Sequence, residues 1–265
     1  LHVLLESCSL QPHETGCQLT SGGRTAHTDI REARALVTQG SEPGMTVVIP
    51  FEAENYWMHS SDVSRLAKFI AHWEIYQSSL TIPGDVVEVG VHKGGSLIRW
   101  LTYREITGGR MSRNVTGFDT FGVFPVSEYK ADETFRARFL NESGDALSRE
   151  ERFQILKQKG LDANVELVEG DACTQIPKWV EEHPDKRISL LHVDVDICEP
   201  SLSALTHLAP LVVPGGAIVL YDFGKFPGET AAWEEFNSQR KWDLKKVPFH
   251  TNVSTATRIL QDGIG

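Results

Sequence analysis

Gly84-Asp85-Val86-Val87-Glu88-Val89-Gly90-Val91-His92-Lys93-Gly94-Gly95-Ser96 reads as a short apolar strand running into a glycine-rich turn and then a helix. Glycine lets the backbone turn sharply and approach a ligand, and Ser96 stands where a hydroxyl caps a helix. Four more short apolar runs follow: Val115 to Phe118, Val165 to Val168, Ile188 to Val195 and Ala217 to Tyr221. Helical stretches lie between the runs, at Ser96 to Ile106, Arg149 to Lys159, Gln175 to Glu182 and Ser201 to Leu211. That alternation predicts parallel strands joined by crossovers, hence a doubly wound, mostly parallel α/β fold. In such sheets ligands sit beyond the carboxyl ends of the strands, so the function is expected there.

The rest of the composition bounds the answer. A chain of 265 residues, 40% hydrophobic and 23% charged, suits one large α/β domain with an appendage. A net charge of -10 and the lack of a basic run argue against nucleic acid as partner. No apolar stretch approaches the roughly 20 residues that span a bilayer, and the start lacks a secretory signal, so a cytoplasmic protein without membrane contact is expected. Cys8, Cys17, Cys173 and Cys198 show no CxxC spacing and are read as reduced thiols. Residues 1–44 form an extension of unassigned role, with one short helix expected from Asp29 to Gln39. Residues 45–83 are read as a lid and a leading helix, in which Val63, Leu66, Ala67, Ile70 and Trp73 follow a near-helical period after a cap at Ser61 or Asp62. From Lys241 the chain reads as further strands closing the sheet edge.

The expected strand ends carry the chemistry. The first loop is neither GxGxxG nor GxxxxGK[ST], which disfavours dinucleotides and nucleoside triphosphates. Asp119 ends the second strand at the distance of a ribose-binding acid. Asp171, after the third, suits either an exocyclic amine such as that of adenine or the cap of the next helix. After the fourth, alternation sends Asp194 and Asp196 to one face, and Asp222 follows the fifth. Three converging carboxylates form an oxygen cage for magnesium; the alternative is that each caps the turn after it. His192 is expected to pack on the face opposite Asp194, and it and His59 are reserve bases. Two aromatic segments, one with Tyr56, Trp57 and His59 and one running from Phe121 through Phe124 to Tyr129, are candidate lids over an acceptor.

Three stretches resemble the macrocin-type sugar O-methyltransferases of antibiotic biosynthesis: Gly84 to Gly95, then Asp119-Thr120-Phe121-Gly122 with Pro125, then Val193 to Ser201. Pro214 to Gly224 and Gly228 to Phe236 agree in order and spacing. The resemblance implies a Rossmann-like methyltransferase domain over 84–265, S-adenosylmethionine as cofactor, Mg2+ as metal, a glycosylated or sugar substrate and a homo-oligomer. It implies that Glu88, Gly90, Gly94, Ser96, Asp119, Thr120, Asp171, Ala172 and Asp194 surround the cofactor, that Asp194 and Asp222 hold the metal, and that Asp196 is the base. Tyr221 is a departure, because the family has an aspartate there; water, substrate hydroxyls or Glu199 are candidate replacements. Competing readings are a phenol or catechol O-methyltransferase, a noncatalytic nucleotide-binding protein and an NAD-dependent oxidoreductase.

Overall fold

The computed structural model describes residues 50–240, 242–249 and 254–257. The chain divides into two compact units, Leu1–Ser60 and Ser61–Gly265. In the first, helix α1 (Pro50–Ser60) carries Tyr56, Trp57 and His59, and its last turn is closed by the Ser60 hydroxyl donating to the Tyr56 carbonyl. The helix expected at Asp29 to Gln39 lies outside the described residues.

The second unit begins with α2 (Val63–Ser78), capped by the Asp62 carboxylate accepting from the Ser64 amide at 2.8 Å. It then alternates β1 (Asp85–Val89), α3 (Gly95–Thr107), β2 (Val115–Asp119), α4 (Asp132–Ser143), α5 (Arg149–Gln158), β3 (Val165–Glu169), α6 (Ala172–Glu182), β4 (Ile188–Val193), α7 (Cys198–Leu208) and β5 (Val212–Leu220). After α8 (Pro227–Asn237) come β6 (Leu244–Lys246) and β7 (Ser254–Thr257). The strands form one sheet in the order β3-β2-β1-β4-β5-β7-β6. β1 to β5 are parallel, while β7 is antiparallel to both β5 and β6. The order reverses between β1 and β4, which makes their carboxyl ends the switch point where such folds bind ligands.

Period-two alternation divides the core. Val86, Leu190, Ala217 and Val219 pack on one side with Ala71, Tyr76, Leu97 and Trp100, whereas Val87, Val89, Leu191, Val193, Ile218 and Leu220 pack on the other with Ile176, Trp179, Ala204, Leu205 and Trp233. Burial on both faces explains why these strands read as unbroken apolar runs. Trp100 is wholly buried, and truncating a side chain of that size typically costs about 3–5 kcal/mol.

Several expectations are corrected. β1 stops at Val89 and β4 at Val193, two residues short of the apolar runs: Gly90 (φ 94) turns the chain after β1, and the Asp194 amide makes the last bond of β4 to β1, to the Val89 carbonyl at 2.9 Å. Ser96 does not cap α3: Gly94 is the N-cap, in the left-handed conformation, and Ser96 lies inside the helix. α4 follows the aromatic segment that ends at Tyr129, in a stretch for which the sequence predicts no element, since of its residues only Asp132 is fully buried and it carries no clear apolar stripe. No helix among the described residues is long and apolar enough to cross a membrane. Cys173 and Cys198 are free thiols.

Candidate active site

The loop after β1 is held from three directions. Gly94 N–H bonds the Val91 carbonyl at 2.6 Å, closing a tight turn. His92, at φ 47, donates its amide to Asp119 Oδ2 at 2.7 Å, while Asp119 Oδ1 accepts from the Phe121 amide at 2.7 Å. The Ser96 hydroxyl donates to Glu88 Oε1, which also faces His192 Nδ1 at 3.1 Å. Glu88 is fully buried and engaged through Oε1, a support beneath the loop, while its Oε2 has no hydrogen-bond partner. Thr120 donates to the Val123 carbonyl at 3.1 Å. Asp171 is the N-cap of α6, accepting from the Cys173 amide at 2.9 Å, so the capping alternative is realised; it and Ala172 still stand at the end of β3.

Gly90 joins this loop to the second half of the site. A Cβ at Gly90 would collide with the Asp194 carbonyl, so only glycine permits the two strand ends to approach this closely. Beyond β4 and β5, Asp194, Asp196 and Asp222 each place a carboxylate oxygen within 4.8 Å of the others. The convergence is as expected, but its cause is not strand alternation. Asp196 lies past the strand in a left-handed conformation (φ 65), and this local turn aims it at its neighbours.

The electrostatics of the trio are unusual. Burial, with His192 pulling the other way and Asp222 and Glu88 adding to it, pushes the Asp194 carboxyl up to about 7. Burial, then Asp194 and Asp222, holds Asp196 well above the ordinary carboxylate range. Asp196 Oδ1 is buried without a hydrogen-bond partner, and Asp222 Oδ1 has the Lys225 ammonium at 3.4 Å. A hard divalent cation fits this donor set, since it would satisfy orphaned carboxylate oxygens that otherwise repel one another.

Glu229, which the sequence reading did not single out, is a buried carboxylate beside the trio. Its Oε1 accepts from the Asp222 amide at 2.9 Å and its own amide donates to the Asp196 carbonyl at 3.2 Å, so α8 fixes both aspartates. Its only sequence signal was its place in the α8 segment of the family resemblance. Tyr221 is buried with its ring against His72 and His192, and the Lys68 ammonium sits 4.2 Å from the ring centroid. Burial lowers Lys68 to about 8, with Asp194 opposing the shift. His192 is packed, as expected, but it shares the face of Asp194, because residues two apart in a strand point the same way.

Glu199 is not a replacement ligand. Its carboxylate accepts from the Glu128 and Tyr129 amides at 2.9 and 3.0 Å and from the Ser127 hydroxyl at 2.9 Å, pinning the segment before α4. Phe121 is a core residue only 5% exposed, which removes it as a lid side chain. Phe124 instead packs on Phe139 of α4, with ring centroids 5.2 Å apart. Tyr56, Trp57 and His59 belong to α1 of the first unit.

Comparison with known proteins agrees with this geometry. Among sequence relatives, 8-demethyl-8-(2,3-dimethoxy-alpha-L-rhamnosyl)-tetracenomycin-C 4'-O-methyltransferase of Streptomyces olivaceus is 28% identical over 148 residues, covering 54% of each chain. Demethyldecarbamoylnovobiocin O-methyltransferase of Streptomyces niveus is 30% identical over 167 residues, covering 62% of this chain and 61% of that one. The chain thus spans about half the length of the first of these relatives. Among solved structures, the calicheamicin methyltransferase CalS11 superposes with a TM-score of 0.63 at 20% identity, over 92% of this chain and 99% of that one. The O-methyltransferase NovP gives 0.64 at 22% identity, over 73% and 80%. At these identities the structures establish the fold. The family model described as Macrocin-O-methyltransferase (TylF) matches residues 63–250, a span containing the glycine loop and all three aspartates, and the chain belongs to that family.

Proposed function

We propose that this protein transfers the methyl group of S-adenosylmethionine to a hydroxyl of a sugar moiety in the biosynthesis of an antibiotic-type natural product. The observation that carries the reading is the contact between Gly90 and the Asp194 backbone. It sets the glycine loop and the carboxylate trio edge to edge, so a methyl donor on the first faces an acceptor oxygen on the second. The relatives' printed activities, which include methylation of a rhamnosyl group, support the substrate class.

In this reading Gly90, Gly94 and Ser96 shape the loop under the methionine part of the cofactor. Asp119 meets the ribose hydroxyls through the remaining lone pairs of its pinned carboxylate, and Asp171 with Ala172 borders the adenine. A sugar hydroxyl is too weak an acid to ionise at neutral pH, so its proton must leave as the methyl group arrives. Asp196 accepts that proton: its Oδ1 is buried without a partner, and burial beside Asp194 and Asp222 raises its affinity for a proton above that of an ordinary carboxylate. The oxygen-methyl bond forms as the sulfur-methyl bond breaks, giving the ether and S-adenosylhomocysteine. Asp194 and Asp222 would hold a magnesium-type cation, whose chemistry when bound is to polarise the acceptor hydroxyl and keep the carboxylates ionised. Phe124 and its neighbours before α4 form the cover that excludes water.

The test is methyl transfer from labelled cofactor to rhamnosylated aglycones, with a catechol in parallel. Labelled product from the glycosides alone supports the proposal. Product from the catechol alone, or none from any acceptor, overturns it.

A further inference from the structure

Among the described residues outside the carboxylate trio, Arg152 is a buried charge with little compensation. The α5 capping box of Ser148 and Glu151 fixes where the helix begins, and its period then points Arg152 inward on the same face as the buried Leu156. Arg152 is 1% exposed. Its only hydrogen bond among the described residues is from a terminal nitrogen to the His92 carbonyl at 3.4 Å, and its Nε is buried without a partner. None of the ion pairs among the described residues includes it. Of the carboxylates nearest in effect, Asp119 gives both oxygens to backbone amides, and Glu88 binds Ser96 and His192 through Oε1 while its Oε2 forms no hydrogen bond to Arg152 or any other group. Leaving a guanidinium buried with so little compensation is costly, and the cost is relieved when an anion arrives.

The position of the guanidinium says which anion. It fills the space that a Cβ on Gly94 would occupy. Gly94 is the N-cap of α3 and offers no side-chain cap, so the first amides of a 13-residue helix have no side-chain acceptor at their N-cap. An uncapped helix start and an unpaired buried guanidinium at one glycine make a site for one small anionic group.

We propose that Arg152 and the start of α3 form the subsite for the carboxylate of the cofactor's amino-acid tail. The assignment rests on S-adenosylmethionine being the cofactor. Gly94 is then required twice, for its left-handed backbone and to let the guanidinium reach the loop. Arg152 is a binding residue here and takes no part in the proton transfer.

The test is calorimetric titration of the full chain with S-adenosylhomocysteine and with its decarboxylated form. The wild type should bind the carboxylate-bearing ligand roughly ten- to hundred-fold more tightly, the usual worth of a charge-assisted hydrogen-bond pair. Arg152→Met should remove most of that gap while leaving affinity for the decarboxylated ligand unchanged. Arg152→Lys keeps the buried charge without the planar fork; it should narrow the gap several-fold, and it decides the matter if the methionine variant does not fold. A wild type that does not discriminate, a gap unchanged in the lysine variant, or equal weakening of both ligands overturns the assignment. A wild type that binds neither ligand overturns the cofactor reading itself.

Discussion

The two halves of the site satisfy their polar groups in opposite ways. On the side of β1 and β2 most polar groups find partners within the protein: Asp119 spends both oxygens on backbone amides, and Glu88 is bonded by Ser96 and His192 through Oε1, with Oε2 alone left buried and unpartnered. On the side of β4 and β5 three carboxylates converge with an orphaned oxygen, and burial pushes Asp194 up to about 7. The first half is a preformed cradle whose shape is the function. The second is held under electrostatic strain, which suits a region that must take up a proton and change charge during turnover.

The contrast predicts very different responses to substitution. Asp196→Asn should cost most, lowering turnover by roughly 10²–10⁴-fold while cofactor affinity, measured by calorimetry, stays as in the wild type. Equal losses in both would mean that the halves are not separable. Gly90→Ala should fail at the level of folding, because its Cβ meets the Asp194 carbonyl at a backbone φ of 94. A loss of roughly 3 kcal/mol or more in denaturant unfolding is expected, and an unchanged midpoint would refute the close approach of the strand ends.

Asp194→Asn tests the strain itself. The Asp194 carboxyl titrates higher in the folded state, about 7, than in the unfolded chain, so its ionisation opposes folding as pH rises from the ordinary carboxylate value of about 4 to about 7. The variant should therefore melt above the wild type at pH 8 in chelator. That advantage should shrink below about pH 7 and vanish near pH 4; a lower melting temperature at pH 8 would show that the carboxylate is stabilised there. The smallest effect is expected at the cover. Glu199→Ala removes the acceptor for the Glu128 and Tyr129 amides, which should exchange faster with deuterium while overall stability falls by about 1–2 kcal/mol.

Much of this was legible in the sequence, for identifiable reasons. The inner parallel strands announced themselves because burial on both faces demands unbroken runs such as Val86-Val87 and Leu190-Leu191, whereas β3, at the sheet edge, buries only Leu167. The aspartates were visible because carboxylates directly after apolar strands are rare without a task. Strand ends were overread by two residues at Val91 and Val195: apolar character continues past Gly90, where the chain turns, and past Val193, where β4 ends. Three kinds of feature escaped. Arg152 and Glu229 are long side chains that reach across the fold, and nothing local marks where they end. Glu199 was assigned to the wrong task because its partners, Ser127 to Tyr129, lie some 70 residues away. α4 lacked the apolar stripe by which a helix is read.

The central claim is that the preformed half binds S-adenosylmethionine independently of whatever occupies the carboxylate trio. Titrating the protein with S-adenosylmethionine in magnesium, and again after chelation, tests it most directly. The account predicts saturable binding at one site per chain in both buffers, with closely similar affinity. Absence of binding in both would contradict it.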